Sequence, residues 1–407
     1  VRTMDGLLAA LADPAVLAVV NPYGESVPLG FRSAGELTAA VRDYLQRGGI
    51  WVETGGYPFF NHLVPPAYNR MHDVYPYAFA DFFRVEGPRG GVSLYGVQDA
   101  RDPQTVFVPL EWETWGDAAG GHAGRAWQLF VDGDRGGRTP VVRFSAGRSV
   151  EADVAAYRDA NGFARPLADK MDSATLEIWK RSLLIKYGGF ALRDQIDFAR
   201  YLPRPAVVHV LDFLHGGFDK QYPDHLPPHP SRGTIDDLRA LVDTLHAYGH
   251  LFMPYTNHTW WSDDPRGEWF RTHGEEAHSL DYHGKPMRGD YGGNYGWTVC
   301  PWHPDVAGGE RMLARQFADL GSDILFEDQS GARGWIGLDF NPAAPAPHAY
   351  QQGLVNLSTD ASRYRPLSTE QGFDRMIAAQ SQFAGLTWKL VPYDRMPFWL
   401  SFWLRGY

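Results

Sequence analysis

Apolar and polar positions follow two rhythms along this chain of 407 residues, and the change from one to the other outlines its organisation. Val16-Leu-Ala-Val-Val20 is a continuous apolar run ending at the turn Asn21-Pro22-Tyr23-Gly24. Ala34 to Gln46 carries Leu37, Val41 and Leu45 at helical spacing and stops at Gly48-Gly49; Ile50-Trp-Val-Glu53 is the next strand. Strand, helix, strand at this spacing predicts a parallel βαβ unit. From 63 to 150 short β-type runs such as Val92–Val97 and Trp127–Val131 alternate with Gly, Asp and Pro turns, among them Asp132–Gly137. Residues 151–200 read as mostly helical. After 205 a regular strand–helix alternation sets in: strand 206–213, a helix capped by Thr234 and stopped at Gly249, strand 251–256, a helix from Asp305 to Gly321, strand 323–326, a helix over 348–364, strand 366–369 and a helix over 373–383.

That succession predicts an α/β chain whose main part is a (β/α)8 TIM-type barrel. The expected domains are 1–62, a partial flavodoxin- or amidotransferase-like segment; 63–150, a β-rich extension; and 151–407, the barrel. Further strands are expected within 285–300 and near 386–391. The count still falls short of eight by Tyr407, so the barrel is expected to be incomplete at its C-terminus, with both chain ends in mid-pattern.

Composition narrows the chemistry. A net charge of −10 argues against a nucleic-acid partner, since phosphate binding needs a basic surface. No run approaches the ~20 apolar residues of a membrane span. Cys300 is the single cysteine, which excludes an intrachain disulfide, and the first segment has no nucleophilic cysteine for amidotransferase chemistry. The 14 Trp, 20 Tyr and 23 Phe supply many faces on which sugar rings could stack. Asp132–Gly137 lacks the third acidic position of a calcium loop, and the pairs His225/His229 and His273/His278 lack zinc spacing on a helix. No metal and no cofactor are expected.

In such barrels chemistry sits at the C-terminal ends of the strands. Ile324-Leu-Phe-Glu-Asp328 and Leu367-Ser-Thr-Glu370 each run onto a carboxylate. Period two places Asp328 on the face of Ile324 and Phe326 and sends Glu327 the other way, so Asp328 is preferred. Two carboxyl groups on one rim are the minimum equipment for cleaving a glycosidic bond. Asp328 is the expected nucleophile and Glu370 the acid/base of a retaining reaction. Around them, Trp260, Trp261, Trp297 and Trp302 are expected as stacking walls. Asp212, Asp219, Lys220, Asn257 and Arg333 are expected to bind hydroxyls.

The stretches Tyr187-Gly-Gly, Gly216–Pro228, Pro254–Trp261, Gly296–Cys300, Leu325–Gln329 and Leu367–Glu370 resemble a largely uncharacterised, mostly bacterial family of glycosidase-like TIM-barrel proteins. The resemblance covers most of residues 150–407. That family is similar at a distance to endo-α-N-acetylgalactosaminidases, in which an aspartate nucleophile and a glutamate acid/base lie on successive strands. The resemblance implies the same order for Asp328 and Glu370, and a carbohydrate as partner. Two other readings stay open: a barrel that binds carbohydrate without cleaving it, and a transglycosylase sharing the same acids.

Overall fold

The computed structural model describes residues 4–21, 34–53, 82–97, 107–114, 122–129, 141–162, 165–264, 266–274, 276–281, 283–291, 293–333 and 339–384. The expectations for residues 22–24, 132–137 and 386–391 lie outside them. The chain forms two compact units, residues 1–131 with 138–162, and residues 132–137 with 163–407.

In the first unit, Ala18–Asn21 pairs in parallel with Ile50–Glu53, and the helix Ala34–Gln46 lies between them in sequence. Leu7, Leu11, Leu37, Val41 and Tyr44 form its small apolar core. Gly90–Val97 then pairs antiparallel with both Phe82–Gly87 and Val141–Ala146, and Phe107–Thr114 forms a hairpin with His122–Leu129. The helix Val150–Asn161 is capped by the Ser149 side chain and by Gly162 in a left-handed conformation. Asp153 on that helix is buried. It accepts bonds from Ser93 and Ser145 and is paired with Arg84 at 2.7 Å, so its charge is matched.

The second unit is built on one parallel sheet of six strands: β1 (Leu183–Tyr187), β2 (Ala206–Val210), β3 (Leu251–Thr256), β4 (Leu325–Gly331), β5 (Leu367–Gln371) and β6 (Gln380–Ala384). Each strand lies beside its sequence neighbour. Helices separate the first five: α1 (Leu192–Ala199), α2 (Ile235–Ala247), α3 (Pro304–Asp319) and α4 (Tyr350–Ala361). Among the described residues this winding is that of six strands of a TIM-type barrel. β2 and β3 are buried at every residue, which is why both read as largely apolar runs. α2 starts at a capping box, in which Thr234 and Asp237 satisfy each other's backbone N–H groups.

Three expectations change here. Residues 183–187 form an edge strand rather than part of a helical stretch; Leu183 and Leu184 are 62% and 43% exposed, so no buried run marks it. The helix expected over 373–383 is cut to five residues. Asp374–Ala378 make one tight 3-10 turn and β6 begins at Gln380. The strand signals within 285–300 belong to an antiparallel insertion after β3, in which Asn294–Thr298 pairs with both Arg288–Tyr291 and Trp260–Ser262. Among the described residues no helix is long and apolar enough to cross a membrane.

Candidate active site

Register brings the two acids to one level. β4 and β5 pair regularly through Leu325–Leu367, Phe326–Ser368 and Glu327–Thr369. Asp328 and Glu370 each stand one residue beyond that last regular pair. The strands then part: pairing resumes only at Gly331–Gln371, so β4 bulges by two residues there. Thr369 stitches the bulge, its hydroxyl donating to the Glu327 carbonyl at 3.0 Å and accepting from the Gly331 N–H at 2.8 Å. Gly331 is required where it stands. A Cβ there would lie 2.6 Å from Gly372 Cα and 2.7 Å from the Glu370 carbonyl.

The residue after each acid is left-handed, Gln329 with φ 61° and Gln371 with φ 55°. Asp212, just past β2, and Asp219, in the loop that follows, have φ 62° and 56°. A non-glycine residue held in this region costs about 1 kcal/mol or more. Among the described residues these four are the whole set, and all lie at the C-terminal ends of barrel strands or in the loop that follows one.

Asp328 is enclosed by donors. The Tyr255 hydroxyl donates to its Oδ2 at 2.8 Å, and Asn257 Nδ2 approaches the same oxygen at 3.4 Å. Burial, and after it the charges of Glu370 and Asp219, push the Asp328 carboxyl well above the usual range, against the Tyr255 bond and the Arg333 charge. Burial also raises Asp219, to about 6, with Tyr222 and Lys220 opposing and Asp212 assisting. Tyr222 links this loop to the site: its hydroxyl accepts from the Asp219 N–H at 3.1 Å, and its ring lies 6.1 Å from that of Tyr255.

Arg333 is buried and fixed in place by four partners. Nε donates to Thr259 Oγ1 and Gln329 Oε1, both at 2.9 Å, Nη1 to Thr298 Oγ1 at 2.9 Å, and Nη2 to the Tyr291 hydroxyl. The planar guanidinium suits this fan of acceptors in a way a lysine cannot.

The structure thus gathers Asp328, Glu370, Asn257 and Arg333, with Asp212 and Asp219 close enough for their charges to act in the same region. Lys220 donates to Asn294 on the insertion. The tryptophans separate into two kinds. Trp260 and Trp261 are 0% and 1% exposed, so neither offers a face to a sugar ring. Trp260 packs edge-on to Tyr222 and Tyr291, and Trp261 sits among Val299, Val306 and Leu357. This corrects the expectation of stacking walls at those two positions: their bulk closes the gap between the insertion and the barrel. Trp297 is half-buried, stacked on His278 with the Arg288 guanidinium 5.3 Å from its ring. Trp302, also half-buried, donates its indole N–H to the Ala349 carbonyl at 2.8 Å. Tyr255 and Thr259 escape the sequence reading. Tyr255 has the parity of Asn257 on the β3 pattern, the one signal that could have marked it.

No protein-family profile matches the chain, and no curated protein sequence does. Solved structures do. The alpha-N-acetylgalactosaminidase NagBb from Bifidobacterium bifidum, in its GalNAc complex, is 14% identical with a TM-score of 0.58, over 74% of this chain and 52% of that one. Its quadruple mutant gives 14% and 0.59, over 74% and 53%. The shared fold is that of a TIM-type barrel. At this identity the likeness is one of fold alone, and the chain spans about half the length of NagBb. The GH36 alpha-galactosidase AgaA from Geobacillus stearothermophilus is 14% identical with a TM-score of 0.48, over 81% and 50%, too distant to bear on the argument.

Proposed function

We propose that this chain carries the catalytic barrel of a glycoside hydrolase that acts through Asp328 and Glu370 with retention of configuration. The observation that carries the reading is their placement: adjacent parallel strands, one residue beyond the last regular pair, at the C-terminal rim where barrels do their chemistry. Burial of Asp328, and after it the charge of Glu370, disfavour two ionised carboxylates side by side, and we assign one as acid and the other as base. Tyr255 and Asn257 both reach Oδ2 of Asp328 and favour its ionised form against the burial that raises it, and the same bonds stabilise the carboxylate again as it leaves the glycosyl intermediate. Oδ1 takes neither bond and is the oxygen we assign to attack the anomeric carbon. Glu370, half-buried at the rim, gives its proton to the leaving oxygen and then takes one from water.

Because NagBb is an alpha-N-acetylgalactosaminidase, an aryl α-N-acetylgalactosaminide is the first substrate to try. Turnover on a panel of aryl α- and β-glycosides, for the full chain beside Asp328→Asn and Glu370→Gln, tests the proposal. Both variants should lose activity by several orders of magnitude while keeping the parent melting temperature. Unchanged turnover in either variant would remove that residue from the reaction. An acceptor sugar added to the active enzyme separates hydrolysis from transfer.

A further inference from the structure

Behind the strand that carries Asp328 lies a second group of ionisable side chains that the proposed reaction does not use. Glu327 faces away from Asp328, into the layer between sheet and helices. There it meets Glu310 on α3 and His258 in the segment after β3, with one donor atom from each lying within 4.8 Å of the others. All three are buried, at 0%, 2% and 1% exposure.

The partners these side chains have, and the atoms left without one, identify the ligand. His258 Nε2 lies 3.1 Å from Ser330 Oγ. If that nitrogen carries the proton, Nδ1 is bare, with its lone pair toward the cluster. Glu327 Oε2 accepts from the Ser358 hydroxyl at 2.7 Å and from the Gln380 amide at 2.5 Å, while Oε1 has no hydrogen-bond partner. Nδ1 of His258 and Oε2 of Glu310 form an ion pair at 2.8 Å, yet neither atom has a well-directed hydrogen bond. One donor atom from each side chain thus converges, a nitrogen and two carboxylate oxygens, and hydrogen bonds from neighbours do not satisfy His258 Nδ1, Glu310 Oε2 or Glu327 Oε1. Leaving them so would cost several kcal/mol in a dry interior. A neutral imidazole and two carboxylates sum to a charge of −2, which one divalent cation cancels.

We propose that His258, Glu310 and Glu327 bind one first-row divalent cation, zinc being the ion this mixed nitrogen and oxygen set suits best. Ser330, Ser358 and Gln380 orient the ligands. The ion joins the segment after β3, helix α3 and strand β4 immediately behind Asp328, and so holds the nucleophile's strand in place. It lies on the opposite face of the strand from the Asp328 carboxyl, and its presence does not depend on the function proposed above.

The test is metal content and stability of the full chain, prepared without immobilised-metal chromatography. The expected result is about one equivalent of zinc per chain, a melting temperature that falls on chelation and returns with one equivalent of Zn2+, and loss of that response in Glu310→Gln. Should Glu310→Gln not fold, Ser330→Ala is the second variant. It removes only an orienting partner and should weaken Zn2+ affinity by about 10–100-fold. A folded chain that holds no zinc, and whose melting temperature ignores both chelator and Zn2+, overturns the proposal. So does a nitrogen NMR signature of His258 protonated on both ring nitrogens with Zn2+ present, which would make the group a buried imidazolium between carboxylates.

Discussion

The Tyr255 hydroxyl donates to Oδ2 of Asp328 at 2.8 Å, joining the end of one barrel strand to the acid on the next. A hydrogen bond to a charged group contributes about 1.5–3 kcal/mol, or roughly 10–100-fold in the share of Asp328 that is ionised and able to attack. Tyr255→Phe should lower kcat/KM by that factor. Because the bond favours the carboxylate, its loss should also move the acid limb of the pH profile to higher pH. A profile that stays in place while the rate falls would mean that Tyr255 acts on shape alone.

Gly331 admits the close approach of the two acid-bearing strands. Gly331→Ala would place a methyl group 2.6 Å from Gly372 Cα, and backbone cannot yield as a flexible side chain does. Overpacking of this kind costs about 1–3 kcal/mol. Activity should fall further than stability, since the displaced atoms are those next to Glu370. Melting and kinetics on one preparation separate the two effects.

Gln371, at φ 55°, holds a strained conformation immediately after Glu370. Gln371→Gly should relieve the strain and stabilise the fold by up to about 1 kcal/mol. If the strain aims Glu370, the same variant should lose kcat. A gain in stability with full activity would show the strain to be incidental.

Asp219 titrates near 6, above its value near 4 in an unfolded chain. Between those values the folded state binds the extra proton, so this group's contribution to stability declines as pH rises from about 4 to 6. The slope is at most about 1.4 kcal/mol per pH unit for one proton. Denaturant unfolding at several pH values should show Asp219→Asn flattening the parent's dependence over that window. Identical slopes would place Asp219 in water.

Much of the barrel was legible because β2 and β3 are buried on both faces and the helices carry clear caps such as Thr234. β1 was not, since an exposed edge strand flanked by helices has no buried run to show. At Phe373, Met376 and Ile377 the apolar spacing fits a helix, yet all three are buried around a single tight turn. The two acids could be picked out from where their strands end, whereas Trp260 and Trp261 look like any exposed aromatic pair until the insertion folds over them. His258, Glu310 and Glu327 lie far apart in sequence, and only the fold unites them.

Chemical rescue by azide, read with an aryl glycoside the parent enzyme cleaves, tests the roles of Asp328 and Glu370 most directly. In Glu370→Ala the glycosyl–Asp328 intermediate should be intercepted to give a glycosyl azide of retained configuration. In Asp328→Ala azide should replace the nucleophile itself and give the inverted product. Rescue with these two stereochemistries assigns both residues. If the folded variants form no azide adduct, or turn over like the parent, the two carboxylates do not do this chemistry.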